Sequence, residues 1–175
     1  MLKRSLTLIL TLVVCLTALA RTPRPVTDMA IPAPGGKKID LRQYHGKVVL
    51  LAMITPTCAE CLKSLELFKT LQKDFGPYGF QMVVAVVNAN AQADAGPFAD
   101  RYKLPFPVGY LDHVGFMKVA DVAADRKPYV PIVLFIDRDG VVQFQYFGND
   151  TVMKDEEKNL RGITYGLVKQ RPKQQ

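Results

Sequence analysis

The stretch Leu50-Leu51-Ala52-Met53-Ile54-Thr55-Pro56-Thr57-Cys58-Ala59-Glu60-Cys61 constrains this chain more than any other. An apolar run of strand length ends in a short turn and meets a Cys-x-x-Cys. Leu62, Leu65, Phe68 and Leu71 then recur at helical spacing. Two thiols three residues apart at a helix start can close on each other. They also lie where unsatisfied backbone N–H groups favour negative charge. Cys58 is therefore expected to have a lowered pKa and to be the attacking sulfur. Strand, turn, Cys-x-x-Cys and helix in this order form a redox signature. Two plainer readings compete with it. The cysteines could be inert core residues, since a free Cys packs as a small hydrophobe. Half of a zinc site is the other, but such a site needs two more ligands, and only His45 and His113 remain, each alone.

The chain has 175 residues, room for one domain and a leader, and 49% of them are hydrophobic, which supports a core and argues against disorder. Residues 1–20 read as a signal peptide: Lys3 and Arg4 give a positive start, residues 6–19 are almost wholly apolar, and Ala18-Leu19-Ala20 is a small-x-small cleavage site. An uncleaved N-terminal anchor is the competing reading, although the run is short of the roughly 20 residues that span a bilayer. Cys15 follows Leu12-Val13-Val14, a poor match to a lipid-attachment box. Removal of the leader leaves Cys58 and Cys61 as the only cysteines. One close pair in an exported chain is not a disulfide scaffold, and points instead to disulfide exchange with other proteins. The net charge of +7 is spread along the chain without interleaved aromatics, so no nucleic-acid partner is expected.

Residues 21–30, with Pro23 and Pro25, read as a linker, and 31–36 as a Pro- and Gly-rich loop. A short edge strand is expected over 38–41, and a buried strand over 47–54, apolar on both faces as in a parallel sheet. The first helix should run from about 58 to 75 and stop at Gly76-Pro77. A Val-rich strand follows at 80–87, then a loop at 88–96, a short helix at 98–103, a short strand at 108–111 and a helix at 113–122 with Val114, Met117 and Val119 inward. Pro131 opens a third buried strand at 132–136. The Asp-Arg-Asp-Gly at 137–140 turns into a partner strand at 141–147. A closing helix at 155–169 has Leu160, Ile163, Tyr165 and Leu167 as inward candidates, and 171–175 form a basic tail. This order predicts an α/β three-layer sandwich around a mixed central sheet, with the domain spanning 31–170.

Gly46-Lys47-Val48-Val49-Leu50, Cys58-Ala59-Glu60-Cys61, the run from Phe98 through Leu104-Pro105-Phe106-Pro107, and Val130-Pro131 followed by Phe135-Ile136-Asp137-Arg138-Asp139-Gly140 together resemble the TlpA/ResA type of extracytoplasmic thioredoxin-like protein. The resemblance covers about residues 31–170 and implies a thioredoxin fold. It implies Cys58 as nucleophile, Cys61 as resolving thiol and Pro131 as a cis-proline facing the sulfurs. Val130 would offer backbone groups to a bound peptide. Thr57 stands where the family usually has Trp, beside the substrate, and Ala52 where it often has a polar or acidic residue that helps proton transfer to the second thiol. Glu60 is the candidate to assist instead; its other reading is a favourable charge in a helix first turn.

The expected activity is that of an exported thiol:disulfide oxidoreductase, periplasmic or otherwise extracytoplasmic and monomeric. It would reduce client protein disulfides with electrons from a membrane thiol carrier. Beyond the redox-active Cys58–Cys61 disulfide no cofactor or metal is expected, because the sulfurs carry the electrons. Two alternatives stand beside it. Thr55-Pro56-Thr57-Cys58 also resembles the Thr-x-x-Cys of peroxiredoxins, but that family's Arg before the Ile-Asp strand is Pro131 here, and the proline four before the Thr is Leu51. A redox-inactive or copper-binding module of the same fold is the other, although copper carriers of this kind use Cys-x-x-x-Cys with a distant His.

Overall fold

The computed structural model describes residues 22–26, 30–122 and 127–170. The expected leader with Cys15, and the basic tail, lie outside the described residues. Strand β4 (Val48–Ile54) is the centre of the structure, and all seven of its residues are buried. Each such aliphatic side chain contributes about 1.5–3 kcal/mol through burial, so the run is placed where both of its faces can be covered. Helix α1 (Ala59–Phe75) returns to β5 (Phe80–Val86), which is parallel to β4, and helix α2 (Ala91–Tyr102) leads to β6 (Val108–Tyr110), parallel to β5. Helix α3 (His113–Ala120) precedes β7 (Ile132–Ile136), which runs antiparallel to β4. Strand β8 (Val141–Tyr146) pairs antiparallel with β7, and helix α4 (Glu156–Lys169) closes the domain. With the short β1 (Arg24–Pro25), the sheet order is β1-β8-β7-β4-β5-β6.

The two-residue period of β4 divides the core. Val48, Leu50, Ala52 and Ile54 face one way, against α1, α2 and α4 through Leu65, Phe68, Phe98 and Leu160. Val49, Leu51 and Met53 face the other way, against Ile31, Ile39, Phe116 and Val119. The result is the expected three-layer α/β sandwich with a mixed sheet.

Four local expectations change. Residues 31–36 are not simply a loop: β2 (Ala30–Ala33) pairs antiparallel with β3 (Lys37–Asp40) in a separate ribbon. The ribbon crosses β6 where Gly109 sits, since a Cβ there would stand 2.6 Å from both the Pro32 carbonyl oxygen and Ile31. Part of the expected linker is docked in the sheet, with Arg24 opposite Val142 and Pro25 opposite Val141. An edge strand leaves backbone groups open to such pairing, and the Arg24 guanidinium adds hydrogen bonds to the Val119 carbonyl at 3.0 Å and Gln145 Oε1 at 2.7 Å. Helix α2 starts well before residue 98, because Ala91, Ala95 and Phe98 form one buried stripe that outweighs Pro97 inside the helix. Finally, Val114 is 75% exposed and Tyr165 51% exposed. Phe116, Val119 and Ala120 fill the core beneath α3, and Leu160, Thr164 and Leu167 that beneath α4.

Candidate active site

The C-terminal end of β4 delivers the chain into a tight turn, with the Cys58 N–H donating to the Thr55 carbonyl at 3.2 Å. Cys58 is the N-cap of α1 with extended backbone (φ −83, ψ 111), and its Sγ accepts a hydrogen bond from the Cys61 N–H at 3.2 Å. The first cysteine thus satisfies one of the helix's otherwise unpaired donors, as the sequence spacing requires. Cys58 is half-buried and Cys61 fully buried, both as free cysteines. Burial pushes the Cys61 thiol up, and the adjoining Cys58 sulfur pushes it the same way. The arrangement therefore separates an accessible sulfur from a shielded one.

The segment before β7 comes up against this pair. The Val130–Pro131 peptide bond is cis, and the Val130 carbonyl oxygen lies 3.8 Å from Cys58 Sγ. Gly148, beyond β8, backs this segment: its N–H donates to the Tyr129 carbonyl at 2.8 Å. A Cβ at residue 148 would stand 2.5 Å from the Val130 oxygen, so only glycine allows this approach. Tyr129 is exposed next to it.

The sequence matches the Redoxin family over residues 22–163. The chain belongs to the redoxin family. It is of the thioredoxin-like, TlpA/ResA type, a family of thiol:disulfide oxidoreductases. The thioredoxin-like protein YneN of Bacillus subtilis is 27% identical over 135 residues, covering 75% of this chain and 74% of that one. Among solved structures, a putative thiol:disulfide interchange protein DsbE from Chlorobium tepidum aligns with TM-score 0.69 at 23% identity, over 83% of this chain and 96% of that one. A secreted thiol-disulfide isomerase from Corynebacterium glutamicum aligns with TM-score 0.68 at 17% identity, over 82% and 85%.

The other expected site residues of this redoxin fall out unevenly. Thr57 is exposed beside Cys58. Ala52 is wholly buried in β4, which offers no polar side chain along its length. Glu60 points to solvent: its carboxylate pairs with Lys63 at 2.7 Å and is 70% exposed, the position of a surface charge in a helix first turn. A half-buried carboxyl against α1, one helical turn past Cys61, belongs to Glu156 at the start of α4. Glu156 Oε2 accepts a hydrogen bond from the Ser64 hydroxyl at 2.8 Å. Burial holds this carboxyl above its usual range; the Ser64 bond draws it back and the Glu60 charge raises it further. Ser64, a polar residue within the apolar stripe of α1, was a visible signal in the sequence. Glu156 was not, because an acid at a helix start reads as a solvated charge. Nor was Gly148, whose need for close approach depends on two distant segments.

Among the described residues no three His, Cys, Asp or Glu side chains gather as a metal site, and no helix is long and apolar enough to cross a membrane.

Proposed function

We propose that this redoxin is an exported enzyme that reduces disulfides in client proteins through Cys58-Ala59-Glu60-Cys61. The observation that carries the reading is the asymmetry of the pair: Cys58 is partly exposed at the helix N-cap, with Sγ 3.8 Å from the Val130 carbonyl, while Cys61 is buried one turn on. The Cys58 thiolate attacks one sulfur of a client disulfide, and the other client sulfur leaves as a thiol. Cys61 then loses its proton and attacks Cys58 Sγ, releasing the second client thiol and forming the Cys58–Cys61 disulfide. Two electrons pass to the client, and a dithiol carrier of the membrane restores the pair. No cofactor enters. A client chain would pair with the Val130-Pro131 segment, whose Val130 carbonyl lies 3.8 Å from Cys58 Sγ, with Thr57 on the near side of the turn. Export is supported by the leader-like residues 1–20 and by likeness to a protein described as secreted.

Insulin reduction with excess dithiol is the test. Cys58→Ser should abolish it. Cys61→Ser should stall with the client attached, seen as an adduct on a non-reducing gel, and iodoacetamide at neutral pH should label Cys58 well ahead of Cys61. Labelling of Cys61 first, or trapping by Cys58→Ser, would overturn the assignment. Rapid peroxide consumption without insulin reduction would favour a thiol peroxidase instead.

A further inference from the structure

One half-buried carboxyl, that of Glu156, takes no part in the exchange chemistry. Ser64 is buried on the same face of α1 as Cys61 and Leu65, and side chains three apart on a helix are neighbours, about 5–6 Å apart at Cβ. Its hydroxyl lies 3.0 Å from the Glu60 carbonyl oxygen and 2.8 Å from Glu156 Oε2. A hydroxyl has one proton to give, so it cannot donate to both acceptors at once. With Glu156 protonated, the conflict disappears: Glu156 donates to Ser64 Oγ, and Ser64 donates to the Glu60 carbonyl. With Glu156 ionised, Ser64 turns to the carboxylate and its bond to the first turn of α1 is lost. The other oxygen, Glu156 Oε1, is buried and finds no hydrogen-bond partner among the described residues, which again penalises the charged form.

We propose that Glu156 is a proton-responsive positioning residue for the cysteine turn. When protonated, it completes a chain through Ser64 to the carbonyl of Glu60, between the two cysteines. When ionised, it withdraws that brace and holds a negative charge against Ser64, one helical turn on from Cys61, opposing thiolate formation in the pair. The inference rests on the reading that Cys58 and Cys61 carry the disulfide exchange.

The surrounding charges do not offset such an anion. From α1, Glu60 adds repulsion and is itself held by Lys63. Strand β4, also in contact with α4, is entirely apolar. The 3-10 turn Thr151–Asp155 supplies Lys154 and Asp155, and α4 supplies Glu157, all three exposed to solvent. The pull toward the charged form comes from the Ser64 hydrogen bond and the N-terminus of α4. Burial dominates over both, and the Glu156 carboxyl is held above its usual range.

The test is the pH profile of Cys58 alkylation in the full chain, reduced, for the natural sequence, Glu156→Gln and Ser64→Ala. The natural protein should show an inflection on the acid side of the thiol titration. Glu156→Gln should remove it and speed labelling at neutral pH by about threefold to tenfold. Ser64→Ala should move the inflection to higher pH, because the bond that favours the anion is gone. A Glu156→Gln profile that superimposes on the natural one overturns the inference. So does a Ser64→Ala inflection that stays in place, and that variant keeps the test decisive if Glu156→Gln does not fold. Failure of the underlying exchange reading looks different: Cys58 would then not label ahead of Cys61 in any variant.

Discussion

The two ends of the central sheet differ in how completely their polar groups are satisfied. At the end where β4 and β5 begin and β7 finishes, Arg138 donates to four backbone carbonyls, of Gly46 at 2.7 Å, Tyr78 at 3.0 Å, Val168 at 2.8 Å and Gln170 at 3.2 Å. Asp137 beside it accepts from the N–H groups of Asp139 and Val141 and from Gln143. One guanidinium and one carboxylate thus tie the starts of two strands, the β7–β8 turn and the end of α4. At the other end, Cys58 Sγ has a long 3.8 Å contact beside the bond it accepts from the Cys61 N–H. Of the three buried side-chain atoms without a partner among the described residues, Glu156 Oε1 and Asn88 Oδ1 lie here, the third being Arg24 Nη1 on β1. Groups that must change state during a reaction cannot all be saturated. The domain concentrates its polar stability at the end away from the sulfurs, and leaves slack where chemistry needs it.

The strongest test of that division pairs two variants. Cys58→Ser should remove insulin reduction entirely while leaving the urea midpoint almost unchanged. Arg138→Ala should do the opposite, lowering unfolding free energy by about 2–4 kcal/mol through lost charge-assisted bonds, with activity per folded molecule within about twofold. Activity loss in Arg138→Ala without loss of stability would break the comparison.

Gly148→Ala probes the boundary between the two regimes. Its new methyl group meets the Val130 carbonyl at 2.5 Å, so the segment facing Cys58 must move. Client turnover should fall by at least about tenfold, since displacements of this order disrupt a reactive geometry. The stability cost should be about 1–3 kcal/mol. Unchanged turnover would mean that the Val130 segment does not position clients.

The smallest expected effect is on the pH dependence of stability. Glu156 binds its proton more tightly in the folded chain, because burial raises its folded value above the unfolded one. Such an acid contributes stability that is full below the unfolded value and declines as pH rises through the folded value. Glu156→Gln should therefore gain on the natural protein between acid and neutral pH, read as a difference in urea midpoints. A constant difference across that range would show that the carboxyl titrates alike in both states.

Much of this site was legible because its parts are close in sequence. An apolar run that must be buried, a turn and two thiols at helical spacing fix which sulfur caps α1, and this depends on backbone geometry within a few residues. The same local logic located β5, β7, the turn after β7 and most of α1. It failed for Val114 and Tyr165, where a helical stripe can be drawn on more than one face and only the packed sheet decides which is buried. It also failed for α2, where the turn tendency of residues 88–96 yielded to the burial of Ala91 and Ala95.

By itself, the sequence determined the fold class, the central strand and the placement of Cys58 at a helix start, since periodicity and capping are short-range effects. Tertiary structure decided what surrounds the sulfurs. Ser64 and Glu156 are 92 residues apart in the chain and 2.8 Å apart in space, and whether Glu156 is a surface charge or a half-buried acid depends on the docking of α4 against α1. Desolvation is a property of the assembled protein, so no local pattern could carry it.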